Sequence, residues 1–285
     1  MTKLTEKQYW EKQYNSSDSR LTVDGKKYGI KSVIKELIGQ KIISLFSSYD
    51  EYLLWEGILP KYLDSKNPTL KVLEIGSAPG DFLVRIKKEF GSNVFGVEYT
   101  SSGAKVNREK FKKNDIDINN VIEEDFFSND FLIPHDELFD IVISRGFIEH
   151  FDNVEAVIEK HLQVLKPGGI ILVMIPNLQG IYGIWTKVFN ATQIPLHNLS
   201  IMKLKNYSNL FDFDNLKTIR CSYFGTFSFW LFTAPVGSRI VCIVIRILLI
   251  IQRGLNLIFR LLLRGKGCET SLLSPNLIYI GKKKL

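Results

Sequence analysis

Cysteine is scarce in this chain. The 285 residues hold three (Cys221, Cys242 and Cys268), an odd number with no Cys-x-x-Cys pair. That excludes a zinc ribbon and a disulfide framework, and a reducing compartment is expected. The first ten residues carry Lys3, Glu6 and Lys7 and lack an apolar stretch of signal-peptide length, so a cytoplasmic chain is expected. Acidic residues are absent from 215–268. Residues 215–285 hold 11 Lys and Arg against Glu269 alone, a net of +10, whereas residues 1–214 hold 26 against 29, a net of −3. The overall charge of +7 is therefore a property of the last quarter of the chain. A basic end of this kind suits an anionic surface, and an acidic remainder argues against a nucleic-acid partner. What is plentiful is apolar material: 45% hydrophobic and 12% aromatic residues, enough for a sizeable core and too much for a disordered or collagenous chain.

Residues 1–69 read as a helical N-terminal cap, with aromatics at Tyr9, Trp10, Tyr14, Tyr49, Tyr52, Trp55 and Tyr62 and an apolar rhythm over 33–46. Such aromatics serve as packing groups or as the lining of a substrate pocket or lid. Residues 70–285 read as one domain. Its short apolar runs at 70–75, 93–98, 118–122, 139–144, 169–175, 217–223 and 276–280 predict strands, and helical patterns at 81–90, 102–113 and 154–165 separate the early ones. Strands alternating with helices imply an α/β, doubly wound, largely parallel sheet.

The first run leads into Glu74-Ile75-Gly76-Ser77-Ala78-Pro79-Gly80-Asp81 just before a helix. A glycine turn there lets backbone approach a ligand at a helix N-terminus. A dinucleotide fingerprint fails, because Ala78 and Asp81 occupy its second and third glycine positions. The segment instead resembles the first motif of the class I S-adenosylmethionine (SAM)-dependent methyltransferases, Glu/Asp-x-Gly-x-Gly-x-Gly, with Ala78 replacing the middle glycine. The resemblance implies that Gly76, Ala78 and Gly80 wrap the amino-acid and ribose parts of SAM, while Glu74 orients its methionine end. Glu98 ends the second run, 22 residues after Gly76, where a doubly wound fold holds the carboxylate for both ribose hydroxyls. In the third run, Glu124-Asp125-Phe126 resembles the segment that gives Asp125 the adenine amino group and packs Phe126 on the ring.

The fourth run, 139–151, resembles the FDxVxSxGxxEH segment of small-molecule members, and Leu165-Lys166-Pro167-Gly168-Gly169 resembles the turn before their fifth strand. Ser144, Arg145 and Gly146 are then expected against cofactor or substrate. Together these segments span about residues 70–177 and imply a Rossmann-like, seven-stranded mixed sheet whose last strand, near 276–280, is antiparallel. Some members with Glu-x-x-Glu-His bind a metal; Gly146 replaces the first acid here, so no metal is expected. His150 and His197 are the candidate general bases, each weighed against a capping or loop role, and His135 and His161 read as surface or packing residues.

Subclasses divide on the fourth strand. Ser144-Arg145-Gly146-Phe147 is not the Asp/Asn-Pro-Pro-aromatic of amino-methylating DNA enzymes, no cysteine is near for C5-pyrimidine chemistry, and Ser144 stands where ribosomal RNA 2′-O-methyltransferases need Asp. A small-molecule, glycan or lipid-linked acceptor, methylated at a hydroxyl, is the expectation. An RNA or protein acceptor, or a non-catalytic scaffold, is the alternative.

The insertion at 239–264 is apolar except for Arg239, Arg246, Arg253 and Arg260, spaced by seven, with Gln252 and Asn256 beside them. At about 100° per residue each step of seven slips only about 20°, so the arginines share one stripe. Three readings compete: a transmembrane helix, penalised by its arginines; a helix lying on an anionic membrane; and a helix, or pair broken at Gly254, packed on the core or a second subunit.

Overall fold

A computed structural model of the chain describes residues 2–15, 48–63, 67–235 and 237–285. The expected apolar rhythm at 33–46 lies outside the described residues. Seven strands, β1 (Lys71–Ile75), β2 (Asn93–Val97), β3 (Val121–Ile122), β4 (Phe139–Arg145), β5 (Leu165–Pro176), β6 (Leu216–Phe224) and β7 (Asn276–Lys283), form one sheet in the order β3-β2-β1-β4-β5-β7-β6. The first five are parallel, and β7 is antiparallel to both β5 and β6. Strands buried on both faces need apolar residues throughout rather than alternation, and the Ile141-Val142-Ile143 centre of β4 is such a run. Two runs differ from expectation: 118–120 form a 3₁₀ turn before a strand of two residues, and β5 begins at Leu165, within the segment read as a turn.

Six helices matter to the site: α1 (Lys7–Asn15), α2 (Asp81–Phe90), α3 (Ser101–Lys113), α4 (Val154–Val164), α5 (Gly180–Phe189) and α6 (Arg239–Leu263). Helix starts follow local chemistry. Thr100 accepts from Gly103 N to cap α3, and Asn153 accepts from Ala156 N to cap α4. The lysines Lys110, Lys112 and Lys113 close α3 at its negative end.

The sheet separates two cores. One holds Val157, Ile158 and Leu162 of α4 with Met202 and Tyr207; the other holds Leu83 and Ile86 of α2 with Phe111 of α3. The described residues before β1 divide between two roles. The turns Tyr49–Tyr52, Leu53–Ile58 and Leu59–Lys61 belong to the second core, where Trp55 sits 5.1 Å from Phe82 and 6.3 Å from Phe90. By contrast α1 buries no residue and lies over the carboxyl edge of the sheet. The insertion is one continuous helix across Gly254, so of the alternatives the pair broken there does not form.

His161, on α4, is wholly buried. Its Nδ1–H donates to Val157 O (2.8 Å) and its Nε2 accepts from Ser144 Oγ (3.0 Å), while burial pushes its pKa down to about 4. An unfolded imidazole titrates near about 6.5, so the neutral ring's contribution is fully present above that pH and is lost as pH falls toward 4, by up to about 3 kcal/mol. Urea unfolding between pH 7 and 4.5 is expected to show a steeper loss of stability in wild type than in His161→Gln, which cannot titrate. Equal slopes would assign the loss to other groups.

Candidate active site

The order of strands reverses between β1 and β4, so the chain leaves these neighbours in opposite directions and opens a crevice at their carboxyl ends. The glycine loop lies on one side of it. Gly76 and Gly80 have φ of 69° and 92°, a region that L side chains avoid. A Cβ on Gly80 would overlap the Asn107 amide of α3, and one on Gly76 would lie 3.0 Å from the Phe147 ring. The loop is thus wedged between α3 and the segment after β4, with the α2 N-terminus at its end.

Two carboxylates flank the loop. Glu98, at the end of β2, is 4% exposed; its Oε1 accepts from Thr100 N (2.9 Å) and Thr100 Oγ1 (2.6 Å), and the Ala78 backbone N–H also donates to its carboxylate. Burial raises its pKa despite these donors. Glu74 is pushed up to about 7 by burial, although Arg145 Nε lies 3.2 Å from its Oε1. Its Oε2 is buried without a hydrogen-bond partner, an acceptor available to a ligand's amino group. The small loop, the buried Glu98 carboxylate and the unpartnered Glu74 oxygen are groups of the kind that the ribose hydroxyls and amino group of SAM would require. A cleft of about 550 Å³ is lined by Lys3, Lys7, Tyr99 and Asp125 among others. Asp125 Oδ2 accepts there from Lys3 Nζ at 2.8 Å.

One expected contact is corrected, and two expected residues meet partners within the protein. Phe126 is 3% exposed and turned into the core, with its ring edge-on to His161 at 5.2 Å, so it cannot pack on an adenine; Tyr99 lines the cleft instead. Ser144 is fully buried with its hydroxyl spent on His161, leaving only its backbone for a ligand. Arg145 pairs with Glu74 and lies 3.7 Å over the Phe82 ring, so it holds the wall of the crevice. His161, read as a surface or packing residue, belongs wholly to the core.

Helix α1 carries Trp10 and Tyr14 to the site, together with Glu11, which the sequence did not single out. Tyr14 O–H donates to Ala78 O (3.3 Å), Glu11 accepts from Ser101 N and Ser102 N (2.9 and 3.1 Å), and the Trp10 ring stands edge-on to His150 at 5.2 Å. Helix α1 therefore spans the site from the glycine loop to the histidines. Burial beside Glu98 and Glu74 raises the Tyr14 pKa. The sequence does not divide the aromatics of 1–69 between packing groups and the lining of a pocket or lid; in the structure Trp10 and Tyr14 face the site and Tyr49 and Trp55 pack in the core.

His150 and His197, 47 residues apart, meet with ring centroids 4.8 Å apart. Nδ1–H of His150 donates to Leu196 O (2.7 Å) and that of His197 to Gln193 O (2.7 Å), which leaves both Nε2 atoms with free lone pairs. Burial holds His150 down to about 4 and lowers His197 as well, so both are neutral at pH 7. Glu149 is buried beside them, raised to about 8 by desolvation, with Oε2 unpartnered. One ligand atom from each of these three residues lies within 4.8 Å of the others. The expectation of no metal rested on Gly146; the fold brings His197 to Glu149 and His150 in place of the missing acid.

A family model described as a methyltransferase domain matches residues 48–220. A ubiquinone biosynthesis O-methyltransferase from Rickettsia typhi is 30% identical over 111 residues, covering 38% of this chain and 42% of that protein. A ubiquinone/menaquinone biosynthesis C-methyltransferase from Wigglesworthia glossinidia brevipalpis is 28% identical over 133 residues, 45% of this chain and 50% of that one. The chain thus spans half or less of the length of these relatives. Among solved structures, a geranyl diphosphate C-methyltransferase from Streptomyces coelicolor, bound to Mg2+, geranyl diphosphate and S-adenosyl-L-homocysteine, has a TM-score of 0.53 at 14% identity over 100% of both chains. A Galdieria sulphuraria protein described as a sarcosine dimethylglycine methyltransferase gives 0.52 at 17%, covering 82% of this chain and 85% of that one. At such identities the likeness is one of fold. With the family match covering more than half of its residues and the seven-stranded order around the glycine loop, the chain belongs to the methyltransferase-domain family of class I, SAM-dependent enzymes.

Proposed function

We propose that the protein transfers the methyl group of SAM to a hydroxyl of a small-molecule, glycan or lipid-linked acceptor. The observation that carries this reading is the pair of neutral histidines with free Nε2 atoms beside the glycine-loop crevice. When bound, SAM supplies an already activated methyl group, so the protein's task is alignment, exclusion of water and removal of one proton. Gly76, Ala78 and Gly80 let the backbone approach the cofactor, Glu98 accepts from its ribose hydroxyls, and Asp125 stands at the adenine end. Trp10 and Tyr14 of α1 shield the crevice from solvent. The Nε2 of His150 or His197 takes the acceptor's hydroxyl proton; His197 is the more exposed of the two. The names of the two curated relatives support a small-molecule acceptor.

Incubating the protein with methyl-labelled SAM and fractionated cell extract is expected to label a lipid, glycan or small-molecule fraction, and label confined to RNA or protein would contradict the reading. His150→Gln and His197→Gln are each made with that acceptor. Loss of the working base lowers turnover about 10²–10⁴-fold with SAM affinity intact; near-normal turnover in both would mean that alignment alone suffices.

A second reading is favoured by the three donors gathered at one point. Two neutral imidazoles and a carboxylate with an unpartnered oxygen form a donor set suited to a divalent cation, which would hold Glu149 ionised and orient the acceptor oxygen. Extensive dialysis against a chelator separates the readings. Activity that survives it and is unchanged by added divalent metal supports the histidine base, whereas activity lost and restored by metal supports the cation.

A further inference from the structure

The outer face of α6 has no partner among the described residues, although the helix is firmly attached. Its only buried residues are the polar Gln252 and Asn256. Gln252 accepts from Phe229 N (2.9 Å) and donates to Phe227 O (3.0 Å) and Asn256 Oδ1 (2.9 Å). Near the C-terminal end, Phe259 lies 5.8 Å from the Tyr49 ring, and the Arg260 guanidinium sits 4.2 Å over the Tyr52 ring. The helix is thus pinned by a polar strip and turns its apolar residues outward, the reverse of a core-packed helix. Ile240, Ile247, Ile250, Ile251, Leu261 and Leu262 are 50–76% exposed. Placed on a 100° wheel, these residues fill one arc opposite Gln252 and Asn256, and the exposed Arg239, Arg246 and Arg253 run along one border of that arc.

The same character continues on α5. Ile184 and Val188 are 63% and 67% exposed there. A loop ties the two helices together: Trp185 stacks on Phe232 at 4.2 Å and donates to Thr233 O (3.1 Å), while Phe229 N bonds to Gln252. Exposed apolar surface on this scale marks an interaction site.

We propose that α6, with the outer edge of α5, docks in the plane of an anionic lipid bilayer. The borders decide the occupant. Residues 215–268 contain no acid, so a second copy seated symmetrically on this face would set arginines against arginines. A bilayer accepts the isoleucines and leucines into its acyl boundary while lipid phosphates meet the arginines at head-group depth. Spanning is disfavoured: it would strip Gln252 of its bonds to 227–229 and carry Arg246 and Arg253 through hydrocarbon. The docked helix also has a route to the active site, because α5 runs directly into the segment that carries His197.

Binding needs no methyl transfer and can be read without SAM. The full chain is centrifuged with vesicles of phosphatidylcholine alone and of phosphatidylcholine with phosphatidylglycerol. It is expected to pellet with the anionic vesicles, to stay largely in solution with the neutral ones, and to be released by high salt. At about 1 kcal/mol per basic residue, Arg246→Gln with Arg253→Gln should weaken partitioning by about 30-fold. Ile247→Gln with Ile250→Gln, also at exposed positions, should abolish it while leaving the thermal melt unchanged. The proposal is overturned by a wild type that stays in the supernatant or binds both vesicle types alike. It is equally overturned by anionic binding that both double variants retain, or by a lipid-free dimer that the isoleucine variant dissolves.

Discussion

The parallel pairing of β1 with β4 is the constraint on which the site depends. Ile75 lies beside Ser144 in that register, so the glycine loop leaves one strand where Arg145 ends the other. Arg145 can then reach back to Glu74, and the chain beyond it carries Phe147 to Gly76 and His150 to the far side of the crevice. A slip of one residue would exchange the faces of every β4 side chain and separate the loop from the residues that face it. The remaining strands extend this pair in both directions, and the α2 and α4 layers bury the apolar faces that make the register unambiguous.

Burial then sets the electrostatics. Glu74 rises to about 7 and Glu149 to about 8, while His150 falls to about 4, each by loss of water. Loss of water keeps the imidazole lone pairs available at pH 7. Helix α1 maintains that dryness, since the groups it covers include Ala78 and His150.

Much of this was legible in the sequence because it is local. The glycine loop, Glu98 and Asp125 are fixed by strand ends, and a strand end shows as an apolar run stopping at a turn. The arginine stripe was legible for the same reason, being a helical period. Residues that depend on which way a side chain turns were not. Phe126 and Ser144 sit at the right positions along the chain but face the core, where His161 takes the Ser144 hydroxyl. The meeting of His150 with His197 depends on how residues 190–202 fold back, and no spacing encodes that. Gln252 and Asn256 could be placed beside the arginines, but their inward direction became visible only with the 227–229 loop as their partner.

The proposed methyl transfer presupposes a cofactor in the crevice between β1 and β4. The donor is the part of the account on which the rest stands. Titration calorimetry with SAM, S-adenosylhomocysteine and NAD tests it most directly. The wild-type protein is predicted to bind the first two and not NAD, with Glu98→Ala weakening SAM by about 1.5–3 kcal/mol through lost ribose hydrogen bonds. A folded wild type that binds neither SAM nor its demethylated product would contradict the account.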